Sequence, residues 1–320
     1  TIGVKAGLAA GGISYGIVGE DLRAFYFRGN AIDQAAYCQM QANDQDIVID
    51  KVMHSLLEDQ IILAEEVAQG AYLVAGDISN AVDDVDYPPL KLAVIDPEIA
   101  TTFLPPEVVR YDQAGEFRTV VSTFLSFDEV GSHDELNKFA TVVLNQVNDF
   151  GGYFKEVDYG DKGSLMVIFF GAPVSYENNA VRALEFSLTV KAELDALREE
   201  TSMNFRYRIG LTVGTAFTGF VGGKERVQYA CVGNRVNLAA RIMSSADWHD
   251  ILVDEEMAKA AHFRFQLKGD IHYKGILASV PTFMLHGRRQ TLGKPNYGGE
   301  LVGRKKEVDQ LLKFAQPLFN

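Results

Sequence analysis

Cysteines, long apolar runs and positive charge are all scarce in this chain of 320 residues. Its two cysteines, Cys38 and Cys231, are too few for a disulfide framework and favour a reducing, cytoplasmic compartment. No stretch approaches the roughly 18 apolar residues that a membrane span needs. The 30 Lys and Arg against 43 Asp and Glu give a net charge of −13, which argues against nucleic acid or an anionic membrane as the main partner. A few local cations can still bind an anionic ligand.

The stretch from Tyr207 to Ser244 combines a strand, a glycine-rich turn and a helix, and the rest of the chain is organised around it. Ile209, Leu211 and Val213 alternate with smaller residues, which predicts the strand. Four glycines then predict a tight, hairpin-like turn, where side chains would crowd a ligand or another backbone. They are Gly214, Gly219, Gly222 and Gly223.

The helix predicted from about Asn234 carries an amide and a guanidinium on one face. Asn237 and Arg241 are four residues apart, so they lie one above the other. Together they can bind phosphate oxygens and stabilise the charge that develops on them. For an arbitrary N-x-x-x-R pair, a solvated helix face is the more common explanation, so the surrounding residues must decide between the two.

The whole string reads as strand, G-F-V-G-G turn, Tyr229, and then G-x-x-V-N-x-A-A-R from Gly233 to Arg241. It closely resembles the class III nucleotidyl cyclases. In that family the Asn and Arg of this helix touch the transition state for 3′,5′-cyclisation of a nucleoside triphosphate. The resemblance therefore implies catalytic roles for Asn237 and Arg241, in a palm-like fold.

The opening stretch of the chain, from Ile2 to Ala36, repeats the organising one, which predicts two copies of one domain. The alignment pairs Gly3 with Gly210, Gly16 with Gly219, Gly19 with Gly222 and Gly29 with Gly233, with a four-residue difference in the turn. At the Asn and Arg positions the first copy has Asp33 and Tyr37, which supply no cation, so its site is predicted to be degenerate. The N-terminal half of the first domain is expected to come from upstream, as a partner of this chain.

The second copy predicts strand, helix, strand, strand, helix and strand, which is the ferredoxin-like, split βαβ order of an α+β fold. The capping box Ser132-x-x-Glu135 opens its first helix, which Gly151 and Gly152 end. Its other predicted elements are strands at 119–127, 153–159, 164–170, 251–253, 265–275 and 282–285 and a helix at 179–199. The first copy is predicted to have a strand at 47–49, a helix within 46–68, and strands at 72–74 and 91–95.

Prolines, glycines and polar residues predict the domain boundaries. We expect the C-terminal half of a degenerate cyclase domain at 1–105, a linker at 106–117, a second cyclase domain at 118–287 and a linker at 288–300. Residues 301–320, with Leu301-Val302-Gly303-Arg304, resemble the entry to an AAA-type ATPase domain, and a capped amphipathic tail is the alternative. This arrangement, and the segment Gly151 to Pro173, resemble the bicarbonate-type soluble adenylyl cyclases.

In that family one active site forms across two domains, and two Asp of the first domain hold two divalent cations, Mg or Mn. The resemblance implies that these ligands precede Thr1. In the second copy Ser126 stands at the first metal position, with Asp128 nearby, and Asp161 is better explained as a hairpin-turn residue. We therefore expect no metal site in these 320 residues, and no activity from them alone.

The positions that select the base depart from the family. The best register puts Glu156 where adenylyl cyclases have Lys, although a one-residue bulge would restore the adjacent Lys155. Ala230, seven residues before Asn237, replaces an Asp or Thr, and Cys231 follows it. Glu and Cys are guanylyl-like choices, since Glu accepts from guanine N1 and N2 whereas Lys suits adenine N1. ATP remains the default substrate and GTP the alternative.

Three other positions bear on the site. Lys274 resembles the family's triphosphate-contacting Lys, and an exposed strand-end lysine is the alternative. Arg235 is expected to be a surface residue. Ala36 stands where the bicarbonate-sensing branch has an Arg in the degenerate site, which argues against bicarbonate sensing here.

The resemblance implies an enzyme, a nucleotidyl cyclase (adenylyl by default) that forms a 3′,5′-cyclic nucleotide and pyrophosphate. A pseudo-cyclase module that dimerises or regulates a downstream ATPase is the alternative. Ser126, the altered base positions and the degenerate first copy favour the module, whereas the intact Asn237 and Arg241 favour the enzyme. A polymerase-like palm would share the ferredoxin core, but the basic surface that it needs is lacking.

Overall fold

The protein is described by a computed structural model that covers residues 3–57, 64–74, 96–110, 115–160, 163–223, 227–289, 310 and 312–314. The chain divides into two compact units, Thr1–Gly287 and Arg288–Asn320, and the fold of the first is given below. The predicted strand at 91–95, the turn residue Asp161 and the ATPase-like stretch at 301–304 lie outside the described residues.

The described part of the first copy contains two separate sheets and two helices. Its elements are β1 (Ala6–Leu8), β2 (Ser14–Val18), β3 (Ala24–Arg28), α1 (Asn30–Gln41), β4 (Ile47–Asp50), α2 (Lys51–Leu57), β5 (Ala64–Ala68) and β6 (Ala71–Val74). One sheet has the order β1-β4-β6-β5, and β2 and β3 form an antiparallel hairpin of their own. The helix predicted within 46–68 ends at Leu57, and residues 64–68 form a strand instead, because they pair with β6. Local helical periodicity is overridden there by sheet pairing.

Two short helices occupy the region that links the copies, α3 (Pro97–Thr101) and α4 (Pro106–Val109). Asp96 caps α3 by accepting a hydrogen bond from the Glu98 amide at 2.9 Å. Val108 of α4 is 2% exposed and packs into the core of the second copy. Part of the predicted linker is therefore a folded, docked element.

The second copy contains the predicted order of strands and helices. Its elements are β7 (Glu116–Asp128), α5 (His133–Asp149), β8 (Tyr153–Gly160), β9 (Gly163–Phe170), α6 (Asn179–Thr201), β10 (Arg206–Gly222), β11 (Val227–Val232), α7 (Asn234–Ser244), β12 (Ile251–Asp254), α8 (Glu255–Ala258), β13 (Phe263–Ile271) and β14 (Val280–Arg288). The predicted capping box is present, because Ser132 and Glu135 bond reciprocally at the start of α5. Gly151, with φ +64, follows the end of that helix.

An eight-stranded sheet forms the centre of the second copy, in the order β13-β14-β12-β10-β7-β9-β8, with β11 paired to β10. Side chains along β7 alternate between the two faces of the sheet, and the core therefore has two parts. Val121 and Leu125 pack with α5 and α6 on one face of the sheet, whereas Val120 and Phe124 pack with α7 on the other. Strand β13 ends at Ile271, so Lys274 lies in the turn after it and not in the predicted strand.

The glycines of the organising stretch do not all form a turn, which corrects the prediction. Gly214 and Gly219 lie inside β10, a continuous strand of 17 residues, and only Gly222 and Gly223 lie at its end. A Cβ at Gly214 would come within 2.5 Å of Cγ of Arg235, and one at Gly219 would come within 2.5 Å of Cα of Gly115. These glycines permit close packing within a strand.

The structure also corrects the alignment of the two copies. A Cβ at Gly210 would lie 2.3 Å from the Met243 amide nitrogen in α7, and a Cβ at Gly7 would lie 2.3 Å from the Gln39 amide nitrogen in α1. Both glycines sit on strands that pair in parallel with the strand after the helix. Gly7, and not Gly3, therefore matches Gly210, and no insertion separates it from the matched Gly16 and Gly19.

The first copy packs on the second through the β2–β3 hairpin. Tyr26 is 3% exposed and joins the core of the second copy, and its hydroxyl lies 3.0 Å from His133 Nδ1. The Gly19 amide donates to Asn137 Oδ1 at 2.9 Å, and Arg28 Nη1 donates to the Val130 carbonyl at 3.0 Å. The start of α5 is thus the surface on which the hairpin docks.

Candidate active site

Helix α7 presents its polar face away from the sheet. Val236, Ala239 and Met243 are buried against the sheet, whereas Asn237 is exposed and Arg241 is partly exposed. Among the described residues, neither Asn237 nor Arg241 has a hydrogen-bond or ion-pair partner for its side chain. The amide and the guanidinium lie one helical turn apart and are available to an external ligand.

The turn that carries Lys274 lies near Arg241. The turn after β13 contains Gly275, with φ +73, and a Cβ built there would lie 3.4 Å from Arg241 Nη2. Lys274 precedes this glycine and is exposed. The structure therefore brings the turn that carries Lys274 against the guanidinium, as an anion site would require.

A cavity of about 200 Å³ opens beside the start of α7. Its lining residues are Phe124, Lys155, Glu156, Asp158, Leu165, Val167, Phe169, Cys231 and Val236. Strand β8 contains the one-residue bulge considered above, because its pairing with β9 shifts register between Phe154 and Glu156. Lys155 is the extra residue. Its ammonium pairs with the Glu156 carboxylate, and both side chains line the cavity.

Strand β11 contributes Cys231 to this cavity. Its neighbour Ala230 is buried and is not among the lining residues, although the family pattern pointed to Ala230. Burial raises the pKa of the Cys231 thiol to about 12, so the thiol stays protonated at neutral pH. Tyr153 Oη donates to the Tyr229 carbonyl at 3.1 Å and ties β8 to β11. The apolar floor, which includes Phe124, was missed from sequence, and only strand alternation could have indicated it.

The described residues do not fit a two-metal site. Within the ranges that the structure covers, no group of three His, Cys, Asp or Glu side chains is placed to hold a metal ion. Ser126 is 2% exposed on β7, and Asp128 is bound to Arg206 at 2.6 Å. That hydrogen bond to Arg206 lowers the pKa of Asp128.

The side chain of Arg235 is 42% exposed, as expected for a surface residue, but it is also held by an ion pair. Its Nη1 lies 3.0 Å from Asp254 Oδ2, and Asp254 is 1% exposed. In the first copy, the helix matched to α7 carries Asp33, which is exposed, and Tyr37, whose hydroxyl donates to the Gln69 carbonyl at 3.4 Å. That helix provides neither an amide nor a cation at the matching positions.

Comparison with known proteins gives one family. Residues 133–287 match the family model described as "Adenylate and Guanylate cyclase catalytic domain". "Adenylate cyclase 1" of Rhizobium meliloti is 32% identical over 111 residues, which cover 31% of this chain and 17% of that protein. "Adenylate cyclase type 10" of Homo sapiens is 23% identical over 364 residues, which cover 97% of this chain and 22% of that protein. The chain thus spans only a small part of the length of these curated relatives.

A solved structure shares the fold. The adenylyl cyclase CyaB from P. aeruginosa matches with a TM-score of 0.51 at 21% identity, covering 57% of this chain and 100% of that one. The mixed α+β architecture predicted from sequence is confirmed by this likeness. Of the helices that the structure describes, each is too short or too polar to cross a membrane.

Proposed function

We propose, on the premise that residues 133–287 are an adenylate and guanylate cyclase catalytic domain, that this chain is part of a nucleotidyl cyclase. It converts ATP to a 3′,5′-cyclic nucleotide and pyrophosphate. The observation that carries the proposal is the placement of Asn237 and Arg241 on α7, without side-chain partners among the described residues. The same helix contributes Val236 to the cavity that Lys155 lines.

The chemistry assigned to α7 is charge stabilisation. The 3′-oxygen of the nucleotide attacks the α-phosphorus, the bond from that phosphorus to the bridging oxygen of pyrophosphate breaks, and the 3′-hydroxyl proton passes to solvent water. Negative charge builds on the α-phosphate and on the leaving oxygen. Arg241 offsets that charge, and Asn237 donates a hydrogen bond in a fixed direction. Lys274, in the turn that lies against Arg241, adds a cation for the triphosphate.

Class III cyclases use divalent metal ions, and the described residues do not fit such a site. We therefore assign no step of the reaction to a metal through these residues. The carboxylates that hold two Mg or Mn ions are proposed to come from a segment of the protein outside them. The two copies are proposed to share one seam, with α7 facing that segment. The docking of the β2–β3 hairpin on α5 supports contact between the two copies.

Base selection is proposed to rest on Lys155. The bulge in β8 turns its ammonium toward the cavity, where it can donate to N1 of adenine. Glu156 lines the same cavity and would accept hydrogen bonds from guanine, which is why GTP is the second candidate substrate.

Replacing Lys155 is expected to change nucleotide preference. In Lys155→Ala we expect kcat/KM for ATP to fall by about 10- to 100-fold, because one hydrogen bond from a charged donor is lost in a partly buried cavity. We expect kcat/KM for GTP to change much less. Steady-state assays with each nucleotide measure the ratio, and Lys138→Ala, on the exposed side of α5, is the control. Equal losses for ATP and GTP would remove the base-selecting role.

A pseudo-cyclase that binds nucleotide without turnover is the second candidate function, and the buried Ser126 at the metal position favours it. Product analysis separates the two. The full-length protein is incubated with ATP or GTP and with Mn²⁺ or Mg²⁺, and cyclic nucleotide and pyrophosphate are measured beside nucleotide binding. Formation of both products supports the enzyme, whereas saturable binding with no product in any combination rules it out.

A further inference from the structure

Arg235, in the first turn of α7, is held from two strands. Thr212 of β10 donates its hydroxyl to the Arg235 carbonyl at 2.7 Å. The guanidinium binds Asp254 at the end of β12, at 3.0 Å. The stem of Arg235 crosses Gly214, where any Cβ would collide with it. The backbone, the aliphatic stem and the guanidinium of Arg235 are thus each held by a different contact.

This placement is unfavourable on local grounds. A cation in the first turn opposes the helix dipole, and α7 begins at Gly233 without a side-chain cap or an acidic residue in its first turn. Burying the carboxylate of Asp254 is also unfavourable, because it must be charged to pair with Arg235. That burial raises the pKa of Asp254 to about 6. A contribution to folding stability therefore does not explain why this ion pair is present.

The internal repeat supplies the comparison. Asp50 matches Asp254 and is similarly buried, at 2% exposure, and both aspartates cap the following helix by accepting from a Met amide. The position of Arg235 is Ala31 in the first copy. Helix capping therefore explains the aspartate in both copies, whereas the arginine occurs only in the copy that carries Asn237.

We propose that Arg235 is a positioning residue: its ion pair with Asp254 locks the first turn of α7 against β10 and β12, and so sets the direction in which Asn237 points. The inference rests on the proposed cyclase function. The role assigned to Arg235 is exerted through the helix, because its Nη1 is engaged by Asp254.

The test uses the full-length protein and a neutral pair, so that no buried charge is left alone. In Arg235→Gln/Asp254→Asn we expect kcat for ATP to fall about tenfold with KM changed less than about twofold, as for a misplaced catalytic group. Arg235→Lys should recover most of that loss. The exposed ion pair of Lys268 and Asp247 gives the matched control, Lys268→Gln/Asp247→Asn, which should keep the wild-type kcat.

The dependence of kcat on pH distinguishes a positioning role of Arg235 from a general destabilisation of the fold. The charged groups near Asp254 are Arg235 of α7, Glu256 of α8 and Lys259 at the end of α8, which pairs with Glu256. Strand β14 places the neutral Thr282 beside Asp254. As pH falls through about 6, Asp254 takes up a proton and the ion pair is lost, so wild-type kcat should fall there. In Asp254→Asn, kcat should not show this fall as pH is lowered through about 6.

A wild-type kcat in the neutral pair, or an identical acid limb in Asp254→Asn, would overturn the inference. Asn237→Ala distinguishes this result from failure of the function itself. If Asn237→Ala is inactive while the Arg235→Gln/Asp254→Asn variant is fully active, only the positioning role of Arg235 is disproved. If Asn237→Ala is also fully active, the cyclase assignment of α7 falls with it.

Discussion

Asn237→Ala and Arg241→Ala, each made in the full-length protein, are expected to lower kcat for cyclic nucleotide formation by about 10²- to 10³-fold, as the loss of one preorganised donor does in other enzymes. The reason is that both groups act on charge that exists fully only in the transition state. KM should change little, because the ground-state triphosphate is held by other contacts as well. The measurement is steady-state kinetics with product identified by chromatography.

The repeat offers a matched control for this pair of variants. Asp33 occupies the position of Asn237 on α1 and is exposed, so Asp33→Ala should leave kcat near the wild-type value. The double variant Asn237→Ala/Arg241→Ala should be less impaired than the product of the single losses, because the two groups act on one charge. A rise in KM with unchanged kcat would instead make α7 a binding surface and favour the pseudo-cyclase.

Gly210→Ala is expected to be the most destabilising single substitution at a glycine of the second copy. The added Cβ would lie 2.3 Å from the Met243 amide nitrogen and 2.7 Å from the Ala239 carbonyl oxygen. Both are backbone atoms of α7, so no rotamer change relieves the clash and the whole helix must move off the sheet. We expect a loss of about 3 kcal/mol, at the upper end for overpacking, and a fall in Tm of about 6 to 12 °C.

Gly223→Ala is the control, because a Cβ there meets nothing within 4 Å. Thermal unfolding followed by circular dichroism should show Gly223→Ala close to wild type and Gly210→Ala well below it. Gly7→Ala should behave like Gly210→Ala, since its Cβ would lie 2.3 Å from the Ala35 carbonyl oxygen in α1. A tolerant Gly7 together with an intolerant Gly210 would contradict the corrected alignment of the two copies.

Local signals predicted most of the second copy. The capping box at Ser132 and Glu135 depends on four neighbouring residues, and the β8–β9 hairpin depends on alternation around a glycine-containing turn, so both follow from short segments. The helix that carries Asn237 and Arg241 was predicted for the same reason.

The misses share a different cause, which is contact between segments far apart in the chain. The strand at 64–68 exists because β6 pairs with it. Gly214 lies inside a strand because β10 pairs there with β7, and the stem of Arg235 leaves no space for a Cβ at that position. The match of Gly7 to Gly210 depends on a helix that packs on each strand, and the pairing of Arg235 with Asp254 joins two elements that no local pattern connects.

The bulge in β8 has a consequence for how nucleotide choice could change over time. Lys155 and Glu156 are adjacent in the chain, and the extra residue in the strand determines how each is presented to the cavity. On the proposed function, deleting one residue at this point would exchange a donor for an acceptor without any side-chain substitution. The preference for adenine or guanine would then depend on the path of the backbone in β8. A sequence alignment read one position at a time would attribute that preference to the wrong residue.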